Sequence, residues 1–365
     1  MIIGIEAERA NTTQKTGVEH YAKQLILNLA KLDPINRYIL YLRTTPEAWF
    51  LNLPKNFEVK VIPFPIFWTQ LRISWEMLFY PVDVLFIPAS ALPIIHPKKT
   101  VVTIHDLAWK FYPAAFTGFM RRFLEWSTGF ATKRASSVIA VSESTKKDLI
   151  KFYGIDEKKV TVVYHGYEDL KLLIPNQGAG LQLNSDIKLP SKYILFLSTL
   201  QPRKNLEGLI DAFRDLKNEN PDLPHKLVVV GKPGWQFENI LNKIEVNKDI
   251  VIYLNYVSDK DRLYILKNAD LLALPSFYEG FGMQILEAFT AGVPVITSNI
   301  SSMPEVAGDA AVYFDPHEKR DITRAIKDVL NNRALADTLI SKGKKRLESF
   351  SWDKCAKETL ELLVK

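Results

Sequence analysis

Short apolar runs alternate with amphipathic stretches of helical spacing almost from Met1 to Lys365. Runs of strand length fall at Met1 to Ala7, Tyr38 to Arg43, Phe57 to Pro63, Val84 to Pro88, Thr100 to His105, Val138 to Ser142 and Val160 to His165. A second set lies at Tyr193 to Ser198, Lys226 to Gly231, Ile250 to Leu254, Leu271 to Pro275, Val293 to Thr297 and Ala311 to Phe314. Helical patterns separate most of them. Such alternation predicts α/β architecture with parallel sheets, and its occurrence in two sets predicts two doubly wound, Rossmann-like domains facing each other across a cleft.

Between the sets, Gly166 to Ser191 breaks the rhythm with Pro175, Gly178, Gly180, Asn184, Ser185 and Pro190, which reads as a linker or interdomain loop. From Glu318 onward the pattern is almost all helical, with a break between two helices expected at Phe350-Ser351-Trp352. No internal repeat stands out.

Composition narrows the function classes. A chain of 365 residues with 47% hydrophobic content is long enough for two domains, each with its own core. The single cysteine, Cys355, excludes an internal disulfide and a cysteine metal cluster, and a reducing cytoplasm fits. Met1 to Ala7 resembles a first strand more than a signal peptide, because Glu6 arrives before any long apolar region. No window approaches the roughly 18 apolar residues of a membrane span. The net charge of +6 favours anionic partners, among them phosphorylated ligands and anionic lipid surfaces. The charges are spread over many helices instead of forming a run with stacking aromatics, which argues against nucleic acid.

The stretch Tyr278-Glu279-Gly280-Phe281-Gly282-Met283-Gln284-Ile285-Leu286-Glu287 carries the most chemistry. It joins an apolar strand to an apolar helix, and a second strand follows Gly292. In a parallel sheet such a loop lies at the carboxyl edge, where ligands bind, and the N–H groups at the helix start attract anions or sugar oxygens. Glu279 sits on the loop. Glu287 lies inside the helix among Ile285, Leu286, Ala288 and Phe289, where a carboxylate needs a partner.

Four further places hold candidate chemistry. Thr199 to Asn205 opens a helix with Arg203 and Lys204 at its amino end, where the dipole disfavours cations, so something negative should join them; a diphosphate suits both. The alternative is a solvated basic loop. His105 and Asp106 close a strand at its carboxyl edge, where a structural and a functional role weigh about equally on base rates. His165 also ends a strand and reads as structural. Gly17, ahead of the helix Val18 to Leu32, would let backbone approach a phosphate or sugar, although the loop lacks the G-x-G-x-x-G of a dinucleotide oxidoreductase.

Asp259 and Asp261 have the spacing of two metal ligands, but after Ser258 they read as helix capping, and no metal site is expected. The aromatic-rich segment Phe64 to Tyr80 reads first as core packing of one helix; stacking on sugar rings or meeting lipid is the other reading. Phe116 to Arg134 sets Arg121, Arg122, Lys133 and Arg134 beside Phe119, Phe123, Trp126 and Phe130. Peripheral contact with an anionic membrane and a solvated helix edge fit it equally.

Taken together, these residues resemble the retaining family 4 glycosyltransferases with the GT-B fold, over nearly the whole chain. Glu279 to Glu287 matches that family's E-x7-E motif, and Pro202-Arg203-Lys204-Asn205 and His105-Asp106 match two further stations. The resemblance implies an acceptor-binding domain over 1–170, a nucleotide-sugar donor domain over 171–345, and a C-terminal helix over 346–365 that crosses back to the first domain. It implies that Glu287 holds the ribose hydroxyls, Glu279 the transferred hexose, and backbone at Phe281, Gly282 and Met283 the sugar hydroxyls. Arg203 and Lys204, beside Thr199, would neutralise the diphosphate. Tyr256 and Val257, read as ending a strand, would meet the base, Gly17 would approach the donor, and His105 with Asp106 would position the sugar or acceptor. Thr16 and Ser198-Thr199 depart from the glycines common at those places in the family.

The expected activity is a metal-independent, retaining hexosyl transfer from a nucleoside diphosphate sugar to a glycan or lipid-linked sugar in polysaccharide biosynthesis, without cofactor. UDP-glucose is the first donor expected and GDP-mannose the second. The place implied is the cytoplasm or the inner face of its membrane. A GT-B sugar-nucleotide epimerase and a noncatalytic nucleotide-sugar binder are the alternatives.

Overall fold

The computed structural model describes residues 1–12, 17–168 and 182–365. The chain divides into two compact units. Met1–Leu107, Thr117–Gly166 and Phe350–Lys365 form the first; Ala108–Phe116 and Tyr167–Ser349 form the second.

The first unit is built on seven parallel strands: β1 (Ile2–Glu6), β2 (Arg37–Leu42), β3 (Phe57–Val61), β4 (Val84–Ile87), β5 (Thr100–Ile104), β6 (Ser137–Ala140) and β7 (Val160–Val162). Their order across the sheet is β3-β2-β1-β4-β5-β6-β7. Every residue of β4 and β5 is buried, because a parallel strand covered on both faces needs a continuous apolar run, not an alternating one. The helix Gly17–Leu32 buries Tyr21, Ala22, Leu25, Ile26 and Leu29, which share one side at helical spacing. It packs on the last helix, Trp352–Val364, whose buried residues are Trp352, Cys355, Ala356, Thr359 and Leu363. Cys355 is therefore helix packing. Ser351 caps this helix by accepting from the Lys354 N–H at 3.0 Å, the break expected before Trp352.

The second unit carries six parallel strands: β8 (Tyr193–Leu197), β9 (Lys226–Val230), β10 (Val251–Tyr253), β11 (Leu271–Leu274), β12 (Val295–Ser298) and β13 (Ala311–Phe314). They are ordered β10-β9-β8-β11-β12-β13. Ile194 of β8 pairs with Leu227 on one side and Leu271 on the other, so β8 is central and wholly buried. Both sheets are wound outward in both directions from their first strand. Part of the expected linker, 169–181, lies outside the described residues; 182–192 form turns without strand or helix.

One expectation fails. Phe64 to Tyr80 is not one core helix: a π-helical turn, Trp68–Ile73, precedes a short α-helix, Ser74–Phe79. Trp68, Ile73 and Met77 point inward, whereas Phe67, Trp75, Phe79 and Tyr80 are exposed. The wider turn shifts the angular register between the two pieces, so the aromatic positions cannot share one buried stripe.

Gly166 closes the first unit where the last helix returns to it. A Cβ on Gly166 would stand 2.1 Å from the Trp352 backbone nitrogen and 2.5 Å from the Ser351 carbonyl carbon. Backbone cannot step aside as a flexible side chain can. Gly166→Ala should therefore destabilise the first unit by about 1–3 kcal/mol, read as earlier thermal unfolding; an unchanged melting curve would refute this packing.

Candidate active site

The order of the second sheet reverses direction between β8 and β11. At that switch point the loops leaving the carboxyl ends of two adjacent strands lie side by side, and in open α/β sheets a ligand crevice forms at such a place. The loop after β8 runs through a 3-10 turn, Pro202–Lys204, to Asn205, whose left-handed backbone (φ 54°) turns the chain into the helix Leu206–Glu219. The loop after β11 runs to Gly282 (φ 96°), a conformation that favours glycine, and opens the helix Met283–Ala291. Among the described residues no side chain caps this helix, and in its first turn the Ile285 N–H donates to the Gly282 carbonyl at 3.0 Å.

These two loops bring Arg203, Lys204 and Glu279 together. Arg203 Nη1 donates to Glu279 Oε2 at 3.2 Å and to the Tyr278 carbonyl at 2.9 Å. Lys204 Nζ and Ser276 Oγ both donate to Glu279 Oε1, the serine at 2.7 Å. Glu279 is only 6% exposed and Lys204 5%. Burial alone would raise the Glu279 carboxyl, but the charges of Lys204 and Arg203 and the bonds from Lys204 and Ser276 outweigh it and hold the group at about 2. The negative group that the two cations required is thus Glu279 in the protein itself. Two cations against one carboxylate still leave the cluster net positive, which favours a further anion at the crevice.

Serines tie the same loop to β12 and the chain after it. Ser298 Oγ donates to the Ser276 carbonyl at 2.7 Å, Ser301 Oγ to the Glu279 carbonyl at 2.6 Å, and Ser302 Oγ to the Glu279 and Phe281 carbonyls at 2.9 Å each. Sequence reasoning passed over Ser276, Ser298, Ser301 and Ser302. For the last three the signal was a polar cluster directly after the apolar run ending at Thr297.

Glu287 has a partner that the sequence reading missed. Arg262 Nη1 donates to Glu287 Oε1 at 2.6 Å, and the Arg262 Nε is 3.7 Å from Asp259. Arg262 supplies the partner that a carboxylate in that helix needs, reaching across from the neighbouring helix, Asp259–Lys267. Asp259 and Asp261 lie in that helix's first turn, where Ser258 is the cap, its Oγ accepting from the Asp261 N–H at 3.1 Å, so the spacing belongs to a capped helix start with acidic residues complementing its dipole. Among the described residues, no group of three or more His, Cys, Asp or Glu side chains could hold a metal ion.

The remaining candidates of the second unit lie nearby in the chain or on its rim. Phe281 and Gly282 are buried at the turn into the helix and Met283 is half-buried. Thr199, half-buried, packs beside Gly234 in the loop following β9. Tyr256 and Val257 do not end a strand. The strand β10 stops at Tyr253, and a left-handed Asn255 (φ 50°) turns the chain so that Tyr256 is exposed and Val257 buried.

In the first unit, His105 follows β5 and its Nε2 lies 2.8 Å from the Pro88 carbonyl. A carbonyl cannot donate, so Nε2 carries the hydrogen and Nδ1 is the acceptor in the neutral ring. Burial pushes its pKa down, against the opposing pull of the Pro88 carbonyl and Asp106. His165 is a packed aromatic, stacked on Trp352 at 5.8 Å and tilted against Tyr21 at 4.8 Å. Asp106 is half-buried and Gly17 begins its helix; Thr16 lies outside the described residues. Glu6, passed over in the sequence, ends β1 at 4% exposure, and burial, eased by Arg9, pushes its carboxyl up to about 7.

Comparison with known proteins agrees with this architecture. Residues 15–169 match the family model described as Glycosyltransferase Family 4, and residues 183–346 that described as Glycosyl transferases group 1. O-antigen chain mannosyltransferase B of Escherichia coli is 30% identical over 79% of this chain and 76% of its own. Sucrose-phosphate synthase from Thermosynechococcus elongatus superposes with a TM-score of 0.76 at 19% identity, covering 99% of this chain and 98% of that one. WaaG, a glycosyltransferase involved in lipopolysaccharide biosynthesis, does so with a TM-score of 0.75 at 16% identity over 100% and 99%. With its two Rossmann-like units and matches across both halves, this chain belongs to family 4 of the glycosyltransferases and has the GT-B fold.

Proposed function

We propose that the protein transfers mannose from GDP-mannose, with retention of anomeric configuration, onto a growing glycan or lipid-linked sugar in polysaccharide biosynthesis. The observation that carries a nucleoside diphosphate sugar is the net-positive cluster of Arg203, Lys204 and Glu279 at the β8/β11 switch point. The sugar comes from the relative that bears the name mannosyltransferase. UDP-glucose, first in the sequence reading, becomes the second donor.

In this reading Arg203 and Lys204 meet the charge that develops on the departing diphosphate. Cations already fixed by Glu279 need no reorganisation as the bond breaks. They supply the positive charge that a divalent ion supplies in other phosphate sites, and the reaction as proposed uses neither metal nor cofactor. The C1–O bond to phosphate breaks, the acceptor oxygen bonds to C1 on the same face, and the leaving phosphate oxygen takes the acceptor proton.

Glu279 Oε1 accepts two bonds from described residues and Oε2 one, so Oε2 retains a lone pair for a hexose hydroxyl. Glu287 Oε1 is held by Arg262, which directs Oε2 to the ribose hydroxyls. Backbone at Phe281, Gly282 and Met283 meets the sugar, and Thr199, Tyr256 and Val257 the nucleotide. In the first unit, His105, neutral and hydrogen-bonded to Pro88, orients a sugar hydroxyl, with Asp106 and Gly17 in supporting places.

Three measurements test this reading. A panel of GDP, UDP and ADP sugars should rank GDP-mannose highest in thermal stabilisation, by about 2.7 kcal/mol at a hundredfold excess over Kd. Failure of every nucleotide sugar to stabilise, together with no nucleotide release, would sink it. Glu279→Gln should lower kcat/KM by on the order of tenfold to a hundredfold, because it removes the charge that fixes both cations; unimpaired turnover would remove Glu279 from the site. Arg262→Gln should raise the donor KM about tenfold at nearly constant kcat, with partial recovery in Arg262→Lys. An equal fall in kcat would assign Arg262 to the chemical step instead.

A further inference from the structure

More than half of the large apolar side chains that the described residues expose lie in three segments of the first unit: 64–80, the loop 92–99, and the helix Gly118–Arg134. The three are adjacent. The Ile95 N–H donates to Ser74 Oγ at 3.1 Å, and the Phe67 and Phe123 rings lie 6.3 Å apart. Trp126 stacks on Phe130 at 5.7 Å, and His96 approaches Phe130 edge-on at 6.4 Å. A single apolar face of this extent is unusual for a surface that meets only water.

Its charges are one-sided. These segments carry seven Lys or Arg and two Glu. One of the two, Glu76, is buried and bonded to Lys60 and Arg72, so its charge is answered inside the unit. Arg121 and Arg122 are exposed between Phe119 and Phe123, on the helix that closes the face. The backbone also holds aromatics outward: Phe67 has a left-handed conformation (φ 47°), a costly state for a bulky residue, and its ring is nearly half exposed. No helix among the described residues is long and apolar enough to cross a membrane.

We infer that this face is a membrane-docking surface, whose aromatic side chains lie in the interfacial layer of an anionic bilayer while Arg121 and Arg122 meet lipid phosphates. Trp75 (60% exposed) and Phe119 (70%) are its leading anchors. Tryptophan and tyrosine prefer the headgroup level, and cations beside an apolar face add electrostatic attraction to anionic lipid. A mixed aromatic and cationic face is matched by that occupant better than by a second copy of the chain, whose identical cations would confront these across a twofold interface. The docking surface deepens the acceptor half of the proposed function, resting on it for the presence of a lipid-linked sugar at the same bilayer.

Flotation with vesicles tests the surface without donor or acceptor, so its failure and a failure of the donor reading are separate results. The wild type should float with vesicles of about one-quarter phosphatidylglycerol in phosphatidylethanolamine and far less with phosphatidylcholine alone, and high salt should weaken the association. Trp75→Ser with Phe79→Ser should lower the bound fraction about tenfold while the melting temperature stays the same. Arg121→Glu with Arg122→Glu, both exposed and thus tolerant of change, should lower it by a similar factor on anionic vesicles. Wild-type protein that does not float, or binding indifferent to both pairs, would overturn the inference. So would a stable dimer in light scattering that the Trp75→Ser and Phe79→Ser pair dissolves, since it would assign the face to a second copy.

Discussion

Glu279 is buried between Lys204 and Arg203, and the rest of the geometry at the β8/β11 switch point depends on that contact. A carboxylate at 6% exposure would be protonated or expelled without them, and two cations in adjacent positions would repel each other without it. Neither loop has this shape on its own. The contact joins the first strand of the second sheet to its fourth, and Ser301 and Ser302, in the chain after β12, fasten the backbone of Glu279 from the other side. A buried ion pair contributes little net stability once desolvation is counted, so its value lies in arrangement. It leaves two cations rigid, with one positive charge in excess, where the helix Met283–Ala291 begins.

The second glutamate of the motif obeys a different constraint. Glu287 is more exposed than Glu279 and, among the described residues, has one ion-pair partner, Arg262, on one oxygen. The two carboxylates therefore differ in what holds them. Glu279 is bonded on both oxygens to cations of the neighbouring loop; Glu287 is bonded to Arg262 on one. A spacing that looks symmetric in the sequence resolves into two carboxylates in different surroundings.

The first unit solves a different problem with the same fold. Its sheet leaves His105, half-buried, and Glu6, buried, at the carboxyl ends of β5 and β1, both shifted toward their neutral forms. Away from them, the segment 64–80 breaks its helix with a π-helical turn and displays rings that a soluble core would have claimed. Aromatic richness by itself could not separate core from surface.

The sequence by itself determined the strands, because a buried parallel strand requires a continuous apolar run that no other element of that length needs. It also located the two loops that carry the charged cluster: β8 and β11 end where their apolar runs end, and Arg203, Lys204 and Glu279 follow within a few residues. It showed that the cations at the start of the helix Leu206–Glu219 needed a negative partner. Only the tertiary structure decided which one, since Lys204 and Glu279 are 75 residues apart and meet because the crossovers place β8 beside β11. The same holds for Arg262, which meets Glu287 only because two helices lie side by side. Periodicity reports how a segment is buried, whereas the pairing of charges depends on which loops the fold sets side by side and on how far each side chain reaches.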